Sequence, residues 1–164
     1  MTDFDFNSIE KAYKIIKDEV IKTPLITNEY INDQVEGKIF FKLENLQKTG
    51  SFKYRGACHK IAKLKETQKQ KGIVAYSSGN HAQAVAYASH QQNISAKIIM
   101  PKNAPKIKID NTKKYNAIVI LYDPATETRE RIGEEIAVDE KRTIIKPYDD
   151  YDIIAGQGTA GKEI

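Results

Sequence analysis

The chain predicts an α/β fold, an open parallel sheet flanked by helices, and two observations carry that prediction. From residue 72 onward, short apolar runs alternate with longer helix-forming stretches, the pattern of crossovers that join parallel strands. The small polar run Ser77-Ser78-Gly79-Asn80 stands where one of those strands passes into a helix. That is the position at which open parallel sheets take their ligands. At 164 residues the chain can bury the core of one domain, or of one domain plus pieces of another.

The elements follow in order. Asn7 or Ser8 can cap a first helix running to about Ile21, with Ile9, Ala12, Tyr13, Ile16 and Val20 as its apolar stripe. Lys22-Thr23-Pro24 closes it, because the residue before a proline is pushed out of the helical region. Lys38 to Leu43 reads as a strand, and a helix from Ser51 to about Lys65 follows. Then come strand 72–76, helix 80–91, strand 95–100, helix 105–115, strand 117–121 and helix 124–140. Pro105 and Pro124 suit helix starts, where a missing N–H costs nothing. Thr143-Ile144-Ile145 is a last short strand, and Tyr151 to Ile164 opens another helix.

Composition narrows the function classes. Apolar residues at 40% and charged residues at 29% are ordinary for a soluble globular chain. The net charge of +4 comes from lysines spread along the whole sequence, and no block of five like charges appears. A nucleic-acid partner is therefore not expected. No apolar run approaches the length that spans a bilayer, and the acidic start Met1-Thr2-Asp3-Phe4-Asp5-Phe6 does not read as a signal peptide. Cys58, the single cysteine, can form neither an internal disulfide nor a zinc cluster, which fits a reducing cytosol and a cytoplasmic protein.

Two segments carry chemistry. In Gln47-Lys48-Thr49-Gly50-Ser51-Phe52-Lys53-Tyr54-Arg55-Gly56-Ala57, one lysine lies beside an aromatic ring, between two glycines, at a helix start. Lysine amines become useful nucleophiles toward aldehydes when burial or neighbours tune them. The phosphate-loop spacing Gly-x4-Gly-Lys-Ser/Thr is absent. In Ser77-Ser78-Gly79-Asn80-His81-Ala82-Gln83, small residues let backbone N–H groups approach an anion at a helix N-terminus, with Gly79 free to take a positive φ. This is a carboxylate cradle on physics alone. By residue type, Lys53 also reads as an exposed lysine, Phe52 as a core ring and Asn80 as a helix cap.

Together with Ala155-Gly156-Gln157-Gly158-Thr159, these segments resemble the β-family (fold type II) of pyridoxal-phosphate enzymes, in its threonine/serine dehydratase and serine racemase branch. The resemblance covers essentially the whole chain and corresponds to the N-terminal half of such an enzyme. It implies a small α/β domain over residues 48–147, with 1–47 and 148–164 as parts of a large domain. It implies that Lys53 carries pyridoxal 5'-phosphate as a Schiff base and removes the substrate α-proton. Phe52 would pack on the cofactor ring and Asn80 would bond its ring hydroxyl. Ser77, Ser78, Gly79, Asn80 and His81 would bind the amino-acid substrate, with His81 giving its backbone N–H to the carboxylate.

The implied reaction is β-elimination of L-threonine or L-serine to a 2-oxo acid and ammonia. Racemisation is the alternative, with Ser78 delivering a proton from the opposite face. The family's Gly-rich phosphate loop and its divalent-cation carboxylates do not occur in these residues, so no metal site is expected and the chain alone should be inactive. It would then be half of a larger or split enzyme, or a non-catalytic module. At full length the resemblance implies a homo-oligomer. Ala82, where glycine is common in the family, is expected to narrow the pocket slightly. His59 and His90 lack partners at metal spacing and read as helix-surface residues, Cys58 as a small buried residue. Gly156, Gln157 and Gly158 read as a structural signal at the entrance of a helix.

Overall fold

A computed structural model describes residues 4–164; Met1, Thr2 and Asp3, part of the acidic start, lie outside the described residues. The parallel sheet is made of β3 (Ile73–Tyr76), β4 (Ala96–Pro101), β5 (Ile118–Tyr122) and β6 (Thr143–Ile145), in the order β5-β4-β3-β6. All three pairings are parallel, so every connection is a crossover, as the strand–helix alternation predicts.

The pleat divides the core in two. Ile73, Ala75, Ile98, Met100 and Ile145 face one side, where α3 (Lys53–Ala62) and α5 (Asn80–Gln91) supply Tyr54, Ala57, Ile61, Ala82, Val85 and Ala86. Val74, Tyr76, Ile99 and Tyr122 face the other, packed against Ile132 and Ile136 of α7 (Arg129–Asp139). Burial on both faces explains why β3 is a continuous apolar run.

Several boundaries differ from the sequence expectation, each for a tertiary or turn-chemical reason. The first helix, α1 (Phe6–Ile16), is capped by Asp5 rather than Asn7 or Ser8, and it ends five residues short of Ile21. The Ile21 N–H donates to Gln47 Oε1 at 3.0 Å and its carbonyl accepts from Gln47 Nε2 at 2.8 Å, so a distant amide takes the groups a longer helix would use. β2 (Phe40–Lys42) is shorter than expected and pairs antiparallel with an unexpected β1 (Leu25–Thr27). A short α2 (Glu29–Gln34), capped by Asn28, lies between them.

The helix expected over 51–65 is the shorter α3, and an unexpected α4 (Glu66–Lys71) follows it, where the Lys65 N–H donates to Gln68 Oε1 at 2.9 Å. Pro105 stands just outside α6 (Lys106–Lys113) as its cap. Pro124 does not open α7: Asp123 Oδ1 accepts the Ala125 N–H and its carbonyl accepts the Glu127 N–H, a turn that delays the helix to Arg129.

The last helix, α8 (Tyr151–Lys162), crosses α3 and also packs on α1. Gly156 and Gly158 therefore lie inside a helix, not at its entrance, which corrects the sequence reading. A Cβ built on Gly156 would lie 2.6 Å from Gly56 Cα, so these glycines exist for close helix contact. His59 is likewise buried beneath α8, its Nδ1 donating to the Asp152 carbonyl at 2.7 Å, and is not a surface residue. Burial holds its pKa below the ordinary value against that hydrogen bond. Cys58 is buried as expected, and His90 is exposed.

Arg55, with no exposed surface, ties these parts together. It donates to both Glu44 oxygens at 2.9 and 2.8 Å, to both Glu163 oxygens at 2.7 and 2.8 Å, and to the Ile21 carbonyl at 3.2 Å. Lys42 adds a second cation, 2.6 Å from Glu163. Large exposed apolar side chains concentrate in the segments flanking the sheet: Phe6, Leu25, Ile26, Tyr30 and Phe40 on one, Tyr148, Tyr151 and Ile154 on the other. Among the described residues, no helix is long and apolar enough to cross a membrane.

Candidate functional site

The carboxyl ends of β3 and β6 converge on the first turns of α3 and α5, where both motif segments meet. The segment before α3 is irregular: Thr49 and Gly50 have positive φ values of 63° and 74°, and the Gly50 N–H returns to the Gln47 carbonyl at 2.8 Å. This turn brings the chain into α3 with Lys53 in its first turn. Lys53 Nζ donates to the Pro147 carbonyl, 94 residues later, at 2.8 Å, and lies 5.4 Å from the centre of the Phe52 ring. Phe52 is exposed at 43%, so its ring is a wall open to a ligand, not a core residue. Burial holds the Lys53 pKa below that of an ordinary lysine, because removing the ammonium from water disfavours its charge.

The second segment runs from the end of β3 into α5. The Ser77 N–H bonds the Ile99 carbonyl at 3.1 Å, and Ser77 Oγ accepts the Gly79 N–H at 3.3 Å, which shapes the loop. Gly79 caps α5 with φ −154°, so its value is not the positive φ expected; a Cβ there would have no neighbour within 4 Å. Glycine leaves open space above the helix N-terminus. Ser78 and Asn80 are exposed beside it, and Asn80 Oδ1 accepts from Lys108 Nζ at 3.1 Å. Ala82 is wholly buried in the main core, so its methyl does not narrow the pocket.

His81 points inward. It is 2% exposed, and its Nε2 donates to the Ile145 carbonyl at 3.2 Å. Burial pushes its pKa down to about 4, opposed by that bond and aided by the nearby Lys53 charge. A neutral imidazole with its proton on Nε2 leaves Nδ1 as an acceptor, buried and without a partner among the described residues. Thr49 Oγ1, Ser51 Oγ and Gln83 Nε2 are also buried and unsatisfied. A fifth such atom, Ser89 Oγ, lies near the far end of α5, while the other four belong to the segments at the starts of α3 and α5.

Lys53 and His81 are thus brought together by neighbouring carbonyls around the end of β6. Sequence reasoning missed Pro147 because no side chain signals the use of a backbone carbonyl. It also missed Gln157, whose Oε1 accepts the Gly56 N–H at 3.2 Å and whose Nε2 reaches the Lys53 carbonyl at 3.5 Å. The Gly-Gln-Gly run was its only visible trace.

Comparison with known proteins gives a consistent result. The family model described as "Pyridoxal-phosphate dependent enzyme" matches residues 16–164. An L-threo-3-hydroxyaspartate ammonia-lyase of Saccharomyces cerevisiae is 43% identical over 97% of this chain and 49% of its own length. A catabolic L-threonine dehydratase of Staphylococcus aureus is 47% identical over 95% of this chain and 45% of its own. The structure of maize serine racemase superposes with a TM-score of 0.93 at 40% identity, covering 97% of this chain and 48% of that one. The chain spans about half the length of the curated relatives it matches.

Proposed function

The chain belongs to the pyridoxal-phosphate dependent enzyme family, and on that premise we propose that the whole protein performs β-elimination of L-threonine or L-serine, giving a 2-oxo acid and ammonia. The observation that carries this reading is a partly desolvated Lys53 amine at the same end of the sheet as the Ser77–His81 loop. The residues present fit the cofactor: a lysine with a lowered pKa, an exposed aromatic ring beside it, and orphaned polar atoms at Thr49, Ser51 and His81. When bound, pyridoxal phosphate supplies an electron sink for negative charge at the substrate α-carbon.

The chain's own residues do the rest. The Ser77–His81 loop, at the positive end of α5, holds the substrate carboxylate through the backbone N–H groups of Ser78, Asn80 and His81, those of Ser77 and Gly79 being bonded to the Ile99 carbonyl and Ser77 Oγ. Phe52 covers one face and excludes water. Asn80 binds the cofactor's ring oxygen. Lys53 takes the α-proton at Nζ and can return it to the departing β-hydroxyl, so that water leaves. Hydrolysis adds the water back and frees ammonia. His81, held neutral, contributes its backbone N–H and not a catalytic proton.

Racemisation is the second reading, favoured by the exposed Ser78 hydroxyl, which can carry a proton on the side away from Lys53. Residues 48–147 would form the lysine-bearing domain and the flanking segments parts of another. We hold activity to require the longer protein, acting in the cytoplasm as a homo-oligomer, with this chain inactive alone. The test is titration with pyridoxal phosphate, borohydride trapping and peptide mapping, with Lys53→Ala as control, then assays with L-threonine and L-serine. Label confined to Lys53 supports the reading. Scattered labelling unchanged in the variant overturns it.

A further inference from the structure

Two helices meet beside the site through a ladder of amide contacts. Asn80 and Gln83 are three residues apart on α5, and Lys108 and Asn111 are three apart on α6, so each pair shares a helix face. Lys108 Nζ donates to Asn80 Oδ1 at 3.1 Å, and Asn111 Nδ2 donates to Gln83 Oε1 at 3.4 Å. Both α5 amides are therefore held by their oxygens. Gln83 Nε2 is left buried and without a partner among the described residues.

The first rung has a chemical consequence that does not depend on how an amide is oriented. A lysine ammonium has three donors and no acceptor. Whichever way the Asn80 side chain starts, only its oxygen can bond Lys108, and its NH2 group is then turned to the other side. We propose that Lys108 is a positioning residue, fixing the Asn80 amide so that it presents a donor, not an acceptor, to an oxygen of the bound cofactor. This inference rests on the proposed reading of Asn80 as a cofactor contact.

A freely rotating asparagine would offer its oxygen about as readily as its nitrogen. An oxygen facing an oxygen is repulsive, so removing Lys108 should weaken the contact without touching the ligand. α6 also acquires a role, since its register against α5 decides which Asn80 group faces the site.

A double-variant cycle with pyridoxal phosphate as probe tests this, measured as equilibrium binding and as the absorbance of the bound cofactor. Lys108→Met keeps the aliphatic stem and removes the donors; Lys108→Arg keeps a donor. The expected result is about twofold weaker binding for Lys108→Met, recovery in Lys108→Arg, and no further loss when Lys108→Met is added to Asn80→Ala. A Lys108→Met loss of equal size in the Asn80→Ala background, or no loss at all, overturns the proposal. Unchanged binding in Asn80→Ala alone removes the Asn80 reading first, and the proposal with it.

A second readout needs no cofactor. The side-chain amide resonances of Asn80 in the labelled chain should shift in Lys108→Met and return in Lys108→Arg. Resonances unmoved by Lys108→Met overturn the proposal independently.

Discussion

Gly56 of α3 and Gly156 of α8 place two helix backbones in direct contact, 100 residues apart in sequence. A Cβ at Gly156 would meet Gly56 Cα at 2.6 Å and the Arg55 carbonyl at 2.7 Å. Those are main-chain atoms of a helix and cannot step aside. The same crossing delivers Gln157 to the Gly56 N–H and the Lys53 carbonyl, so it also supports the first turn that carries the lysine.

Gly156→Ala should therefore destabilise the fold by about 1–3 kcal/mol, the usual cost of overpacking, as read by urea unfolding. Gly161→Ala is the control, because a Cβ there meets nothing within 4 Å. It should be neutral or stabilising by up to about 1 kcal/mol. Equal effects from both would mean that the helix crossing is not the cause.

Arg55→Met should cost about 3–5 kcal/mol, because it strands Glu44 and Glu163 without their main cation. Burial alone would raise both carboxyl pKa values, but the Arg55 guanidinium and its neighbours hold them below the ordinary value of 4.5. Their stabilisation is thus present above about pH 4.5 and lost as pH falls through the depressed folded values. Chemical denaturation across that range should show the acid loss in the parent and a weaker one in Arg55→Met.

His81 gives a different pH signature. Its folded pKa of about 4 lies below the ordinary 6.5, so between these values the unfolded chain binds more protons. Stability should rise with pH across that window and decline from about 6.5 downward, by up to a few kcal/mol in total. His81→Gln retains a donor for the Ile145 carbonyl but does not titrate. Its stability should be flatter between pH 4 and 6.5, and a slope equal to the parent's would contradict the assignment.

Lys53 should stand apart from the other lysines in reactivity. With its pKa lowered by burial, it carries more neutral amine than an ordinary lysine at any pH below 10.5. Competitive acetylation followed by mass spectrometry should give Lys53 a rate-against-pH midpoint below 10.5. A midpoint at the ordinary lysine value would show that the site does not desolvate the amine.

Much of this protein was legible in its residue pattern. The helix Asn80–Gln91 and the strand Thr143–Ile145 occur as expected, and the parallel sheet follows from apolar runs alternating with helices. Lys53, Phe52 and the Ser77–His81 run stand out in the sequence as a lysine, a ring and small residues at helix starts, and the roles proposed for them rest on the family resemblance. These are short-range signals, written in neighbouring residues and in periods of two and 3.6.

What the sequence could not reveal depends on partners far along the chain. α1 stops at Ile16 because Gln47 takes the Ile21 backbone groups. His59 is buried because α8 lies over it, and Gly156 is a contact point because α3 lies beneath it. Lys53 reaches a carbonyl at Pro147, and Asn80 is oriented by a lysine on another helix. The sequence by itself determined the parallel sheet and the presence of the helices that flank it, but not β1, α2, α4 or the bounds of α1 and α7, because only the former follow from local periodicity. Only the tertiary structure decided which backbone groups, glycines and charges meet across the fold, because a hydrogen bond or a close crossing requires both of its partners to be in place.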